Sequence, residues 1–240
     1  MTQRTAPIDQ NSYASDLNTS GLLVQDLCKA YGREKVLQGV SFSLLPGNIL
    51  GVCGNNGAGK TTLINLLSSI LKPDSGMITL FGIPAGQSRA YREMIGFVPQ
   101  EIALSPRLTV RQNLDFWASA RGLSGRVRKA AVDESIQLTH IDGFLNKRVS
   151  RCSGGMARRA NLAAGLIGAP SLILLDEPTA GIDEDNRGAL LLAIKSLQQI
   201  GRMVVMVNHY RVELESICNQ IVTLRDGRLT ATPHIDPRDE

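Results

Sequence analysis

The chain has 240 residues, 43% hydrophobic and 20% charged, a size that fits one large domain or one domain with an inserted lobe and that folds without disulfides or metals. No apolar run reaches the ~18 residues of a membrane span, and the first twenty residues lack the apolar core of a secretion signal, so a cytoplasmic protein is expected. The net charge of +4, from 26 Lys and Arg against 22 Asp and Glu, is mild and interspersed, which gives no argument for nucleic acid as a partner.

In chain order, residues 1–20 read as a loose polar tail, 21–230 as the folded domain and 231–240 as a second tail. Segments 22–27 and 40–45 alternate apolar and polar residues like half-buried strands. Ile49–Cys53 is a short continuous apolar run, the pattern of a buried strand. A helix is expected over 61–71, with Leu63, Ile64, Leu66, Leu67 and Ile70 spaced for one buried face. Joining the two, Gly54-Asn55-Asn56-Gly57-Ala58-Gly59-Lys60-Thr61 matches G-x-x-x-x-G-K-(S/T) in the strand-to-helix context that the motif requires. Its glycines let successive backbone N–H groups turn inward on phosphate oxygens, and the helix N-terminus adds partial positive charge. Asn55, Asn56, Gly57, Ala58, Gly59, Lys60, Thr61 and Thr62 are therefore expected to cradle a nucleotide. In that cradle Lys60 bridges the β- and γ-phosphates and Thr61 ligates Mg²⁺.

Segment 107–168 is helical in composition, with capping residues Thr109 and Ser153 and breakers Gly122, Gly125 and Gly143. A helical lobe inserted at about 101–165 into an α/β core is expected. Ser153-Gly154-Gly155 opens the last of its helices and forms a second anion site from backbone N–H groups. One chain has no obvious need of two phosphate cradles. A dimer in which Ser153 of each chain covers the nucleotide of the other is the economical explanation. The strand expected at 172–175 ends in Asp176 and Glu177, where α/β folds place ligand sites. Asp176 is expected to hold Mg²⁺, and Glu177 to polarise the attacking water as a general base. A last buried strand, Met203–Val207, precedes His209. The four cysteines (Cys28, Cys53, Cys152, Cys218) lie far apart, which argues for reduced thiols over a zinc site or a disulfide framework.

From about Leu22 to about Leu229 the sequence resembles the ABC ATPases. The resemblance implies a P-loop NTPase core of α/β class with a small antiparallel β lobe and an inserted helical lobe. It makes Gly54–Thr61 the Walker A loop, Asp176 and Glu177 the Walker B acids, and Ser153-Gly154-Gly155 the family signature. It further implies that Tyr31 stacks on adenine and that Gln100 senses Mg²⁺ and a transmembrane partner. Asp183 becomes the D-loop acid that communicates across the dimer, and His209 the switch histidine on the γ-phosphate. ATP and Mg²⁺ are the implied ligands. The implied partners are a separately encoded permease and a second ATPase subunit, identical or related, on the cytoplasmic face of a membrane.

The sequence departs from the usual pattern at Cys152, where the signature commonly begins with Leu, at Asn208, where Thr or Ser is common, and at Asn55, where Pro is frequent. None of these removes a group with a direct chemical role. The run Ser153–Met156 with Arg158-Arg159, and Glu177-Pro178-Thr179-Ala180-Gly181, looks most like exporters of the ABC-2 type; a soluble ATPase switch acting on a membrane complex is the alternative. Arg158 and Arg159 read as a solvated helix face, and Trp117 with Phe116 and Leu114 as core. His140 and His234 carry no pattern.

Overall fold

The structure, a computed structural model, describes residues 20–86 and 88–231. The tail residues 1–19 and 232–240, and with them His234, lie outside the described residues. Among the described residues no helix is long and apolar enough to cross a membrane.

Two sheets organise the chain. The strands β1 (Leu22–Tyr31), β2 (Glu34–Leu44), β4 (Ser75–Leu80) and β5 (Ile83–Pro84) form an antiparallel sheet in the order β2-β1-β4-β5. The alternation expected over 22–27 is broken, because Leu22, Leu23 and Val24 are all buried and the pairing register slips between Val24 and Leu27. The second sheet has the order β10-β9-β3-β8-β7-β6. It consists of β3 (Ile49–Cys53), β6 (Ile95–Val98), β7 (Leu172–Asp176), β8 (Met203–Val207), β9 (Gln220–Arg225) and β10 (Arg228–Ala231). All neighbours in it are parallel except β9 and β10.

The continuous apolar runs are explained by layers on both faces of this parallel sheet, the usual reason for such runs. Leu50, Val52, Leu172, Leu174, Val205 and Val207 face one core, shared with the antiparallel sheet and with helix α1 (Lys60–Leu67). Ile49, Ile173, Leu175, Val204 and Met206 face the other, covered by α5 (Gly154–Leu166), α6 (Glu184–Gln199) and α7 (Arg211–Ile217). Side chains of a strand alternate between faces, so one strand serves both cores. The short helix α2 (Arg89–Glu93) leads into β6.

Between β6 and β7 the chain runs through α3 (Val110–Ala120), α4 (Gly125–Thr139) and α5, which share a third core. Thr109 caps α3 in a reciprocal capping box with Gln112. Helix α5 serves two cores: Ala157, Ala160 and Ala163 face the helical layer, while Leu162 and Leu166 face the sheet. Two expectations fail here. The helix after the phosphate-loop motif stops at Leu67, so Ile70 leaves the buried face and stands 59% exposed. Phe116 points to solvent at 58% exposure, on the side of α3 opposite Leu114, whereas Trp117 is partly buried.

Candidate nucleotide-binding site

Strand β3 delivers its C-terminal end to the loop 54–59, and α1 begins directly at Lys60. Gly59 has φ +99°, and a Cβ there would stand 2.8 Å from Val36 Cγ1 of β2, so only glycine lets the loop close against that strand. A cleft of about 600 Å³ opens above it, lined by Tyr31, Glu34, Val36, Asn56, Gly57, Gly59, Lys60, Thr61, Thr62, Gln100, Glu177 and His209. A larger cleft of about 790 Å³ lies against Thr223–Gly227 and touches the loop at 54–58, but holds neither Lys60 nor Glu177. The reactive side chains gather in the smaller one.

Four of them meet at a single point. The Lys60 ammonium, almost fully buried, donates to the carbonyls of Gly54 (2.8 Å) and Asn55 (3.2 Å) and lies 3.9 Å from Glu177 Oε1. Gln100 Nε2 donates to Glu177 Oε2 at 3.2 Å, and His209 Nδ1 is 3.4 Å from the same oxygen. Glu177 takes a left-handed backbone turn, φ +44°, immediately after β7. Its N–H is bonded to the Val207 carbonyl of β8 at 3.0 Å. A non-glycine residue in that conformation is costly unless its surroundings hold it there.

Asp176 ends β7 and is 5% exposed. One of its carboxylate oxygens has no hydrogen-bond partner, and the Thr61 hydroxyl is bonded to the group. Burial is the main cause that pushes this carboxyl above its usual range; the Glu177 charge adds to the rise, while Thr61 and Lys60 oppose it. Tyr31 ends β1 at the mouth of the cleft with half of its surface exposed, and Lys29 Nζ stands 5.9 Å from its ring centre.

The family model described as ABC transporter matches residues 37–180. The linearmycin resistance ATP-binding protein LnrL of Bacillus subtilis is 38% identical over 211 residues, 88% of this chain and 68% of that protein. The Nod factor export ATP-binding protein I of Rhizobium etli is 37% identical over 212 residues, covering 87% and 67% of the two chains. This chain belongs to the ABC transporter family. Among solved structures, cbiO1 of Clostridium perfringens, part of the ABC transporter complex cbiONQ, matches with a TM-score of 0.80 and 28% identity over 88% of this chain and 87% of that one. An ATP-binding cassette solved as a post-hydrolysis dimer with ADP and Pi matches at 0.76 and 26%, covering 87% and 96%. The ABC protein is thus an ATP-binding transporter subunit that hydrolyses ATP, with the ABC ATPase fold.

The ABC ATPase does not bring all of the residues named from its sequence to one place. Ser153 caps α5, its Oγ accepting from Met156 N at 3.2 Å. Neither it nor Gly154 nor Gly155 lines the cleft that holds Lys60. Instead, a Cβ at Gly155 would stand 2.2 Å from Asn186 Cβ, and one at Gly154 would be 3.5 Å from the Gly181 carbonyl. The signature therefore packs on the loop and helix that follow β7. Asp183 caps that helix, α6, and hydrogen bonds from Asn186 hold its carboxyl below the usual range.

Two arginines depart from the expectation of a solvated face. Arg158 Nη1 donates to the Gln100 carbonyl, and Arg159 Nη1 to the His140 carbonyl at 3.2 Å, with its guanidinium 5.4 Å from the Phe144 ring centre. Burial pulls the Arg158 pKa below its usual range. Asn161, one turn on, accepts from Ala103 N at 3.0 Å and donates to the Pro99 carbonyl at 3.4 Å. The segment carrying Gln100 is thus strapped to α5. Nothing local in Arg158 or Asn161 marks them, because their partners lie 58 to 62 residues away. All four cysteines are free thiols, and burial pushes Cys152 upward, so it stays protonated near neutrality.

Proposed function

We propose that this ATPase works as a pair, each chain closing its Ser153-Gly154-Gly155 helix start over ATP held by the other. The separation of two anion-binding elements within one chain carries the reading. The Gly54–Thr61 loop has its own cleft, while Ser153, Gly154 and Gly155 do not line it and the two glycines lie beside Gly181 and Asn186. Within the cleft, Asn55–Thr62 cradle the phosphates and Tyr31 stacks on the base. Lys60 and His209 hold the γ-phosphate, and Glu177 accepts a proton from the attacking water. Gln100 senses the phosphate and hands the movement to α5 through Arg158. Turnover arrested at Glu177 tests the pairing by light scattering: Glu177→Gln should shift from monomer to dimer only with ATP and Mg²⁺. A chain that binds ATP yet never pairs would sink the homodimer and require a different partner chain.

The residues present fit Mg²⁺. The unpartnered Asp176 oxygen is buried on a carboxylate that the Thr61 hydroxyl also touches, so one acid and one hydroxyl stand together. That suits a cation which takes one or two side chains and completes its shell with phosphate and water. Asp176 and Thr61 would hold it, with Gln100 at the edge of the shell. Bound there, Mg²⁺ neutralises phosphate charge.

Export from the cytoplasmic face of a membrane, in complex with a permease, is the transport reading. It is supported by the curated relatives, one named for export and one for resistance. A cleft of about 490 Å³ between the sheet and the helical layer, lined by Ile70, Phe97, Pro99, Trp117 and Ala164, offers the permease an apolar seat next to the Gln100 segment. Tyr31→Ala checks the base-stacking role: affinity for ATP and GTP should fall alike, by about tenfold, with kcat held, since one stacked base contributes ~1–3 kcal/mol. Unchanged affinity would remove Tyr31 from the site.

A further inference from the structure

Behind the cleft lies a buried carboxylate with no place in the chemistry above. Glu213, on the first turn of α7, is 7% exposed. Its Oε2 accepts from the Thr179 hydroxyl at 2.5 Å and from Asn208 Nδ2 at 2.7 Å. Asn208 also donates to the Thr179 hydroxyl at 3.0 Å. Its Oε1 lies 3.3 Å from Arg187 Nε on α6. A buried charge is kept where hydrogen bonds and opposite charge offset its desolvation. Here Oε2 takes two hydrogen bonds, Oε1 has only the ionic contact with Arg187 and no hydrogen bond, and each partner comes from a different segment. Thr179 is two residues beyond Glu177. Asn208 immediately precedes His209, and its Oδ1 accepts from Tyr210 N at 3.1 Å on the far side. Arg187 donates to the Ile182 carbonyl at 3.2 Å, next to Asp183, and lies 5.8 Å from the Tyr210 ring centre.

We infer that Glu213 is a positioning residue for ATP hydrolysis. Its carboxylate locks the Glu177 turn to the His209 turn and ties both to the Asp183 loop against which the signature packs. Asn208 is the residue that departs from the family pattern at this point. It supplies a two-armed amide, one arm donating to the carboxylate and the other accepting from the turn that carries His209, which a Thr or Ser hydroxyl cannot do at that reach. The lock has a direct bearing on chemistry: Glu177 Oε2 and His209 Nδ1 are 3.4 Å apart across two loops, and the Glu177 N–H is bonded to the Val207 carbonyl at the end of β8. The inference rests on the roles proposed for Glu177 and His209.

Steady-state ATPase assays of Glu213→Gln test it, with thermal melting and nucleotide titration of the same protein. Gln keeps the shape and one acceptor but removes the charge that accepts from two donors, Thr179 and Asn208, and pairs with Arg187. The expected result is a kcat lower by about 10- to 100-fold, the range that a misplacement of about 1 Å costs. KM for ATP should stay within about twofold, since no nucleotide contact is touched; the melting temperature falls with the lost ion pair, and the comparison is made well below it. Asn208→Ala should give a loss of the same kind, and the double variant no more than the larger single loss, because both act through one cluster. Unchanged kcat, a KM rise that accounts for the loss, or losses that multiply in the double variant would each overturn the inference. Should Glu213→Gln not fold, Thr179→Val removes a single donor to the carboxylate and should lower kcat in the same KM-neutral way; full activity there overturns it too. Glu177→Gln and His209→Ala run alongside. If those retain turnover, the reading of the site has failed; if they lose it while Glu213→Gln does not, only the positioning role has.

Discussion

Glu177→Gln is expected to lower ATP turnover by about 10²–10⁴-fold, the usual weight of a general base, while ATP still binds. The carboxylate is held on three sides, by Gln100 Nε2 at 3.2 Å, His209 Nδ1 at 3.4 Å and Lys60 Nζ at 3.9 Å. An amide fills the same volume, so the turn after β7 and its bond to Val207 persist. It cannot take up a proton at that position, and it also gives up the charge that faces Lys60 and His209. The groups expected to grip phosphate are the loop N–H groups and Lys60, which the change leaves in place. Single-turnover phosphate release, with equilibrium binding of a fluorescent ATP analogue beside it, separates the two. Turnover within a few-fold of the native chain would take Glu177 out of the proton-accepting role and return it to a structural one.

The second large effect is expected at Asp176→Asn, where activity and stability should move in opposite directions. Asp176 is buried with an unpartnered oxygen, and its carboxyl is pushed upward chiefly by that burial. A buried, unsatisfied charged acceptor costs roughly 1–3 kcal/mol or more. The sign follows from the raised value: the free protein loses stability as pH rises from the unfolded pKa of the carboxyl through its folded one, so at neutral pH the charge is a burden. Neutralising it should raise the melting temperature of the nucleotide-free chain by a few degrees at this size. It should also abolish Mg²⁺-dependent hydrolysis by at least about 10²-fold, the loss of several kcal/mol of charge stabilisation. Melting curves with and without Mg²⁺ and ATP, set beside turnover, give both numbers. A variant less stable than the native free chain would show that the carboxylate is satisfied there, and the assignment of a cation to it would fall.

Much of the α/β core was legible in the residues because its signals are local. Ile49–Cys53, residues 172–175 and Met203–Val207 are too apolar for any strand with a wet face, and each is buried throughout. The caps at Thr109 and Ser153 were legible for the same reason, since a cap bonds within its own first turn. Where the local signal was only periodicity, it overran. The helix expected to 71 ends at Leu67, because Ser69 turns into the left-handed region. Phe116 shares composition with Leu114 but not its face.

Sequence alone determined the glycine-rich strand-to-helix loop, the acids at the end of β7, the helix start at Ser153 and the order in which they occur, all properties of short contiguous stretches. Only the tertiary structure decided which of these groups meet. It gathered Lys60, Gln100, Glu177 and His209 at one point and set Ser153 apart from them. It also made Arg158, expected on a solvated face, part of a strap with Asn161 on the Gln100 segment, and buried Glu213 against Thr179, Asn208 and Arg187. The physical reason is range. A turn or a cap is specified by residues within one or two turns of each other. A buried charge finds its partners only after strands and helices tens of residues apart have packed, and no periodicity in the chain encodes that meeting.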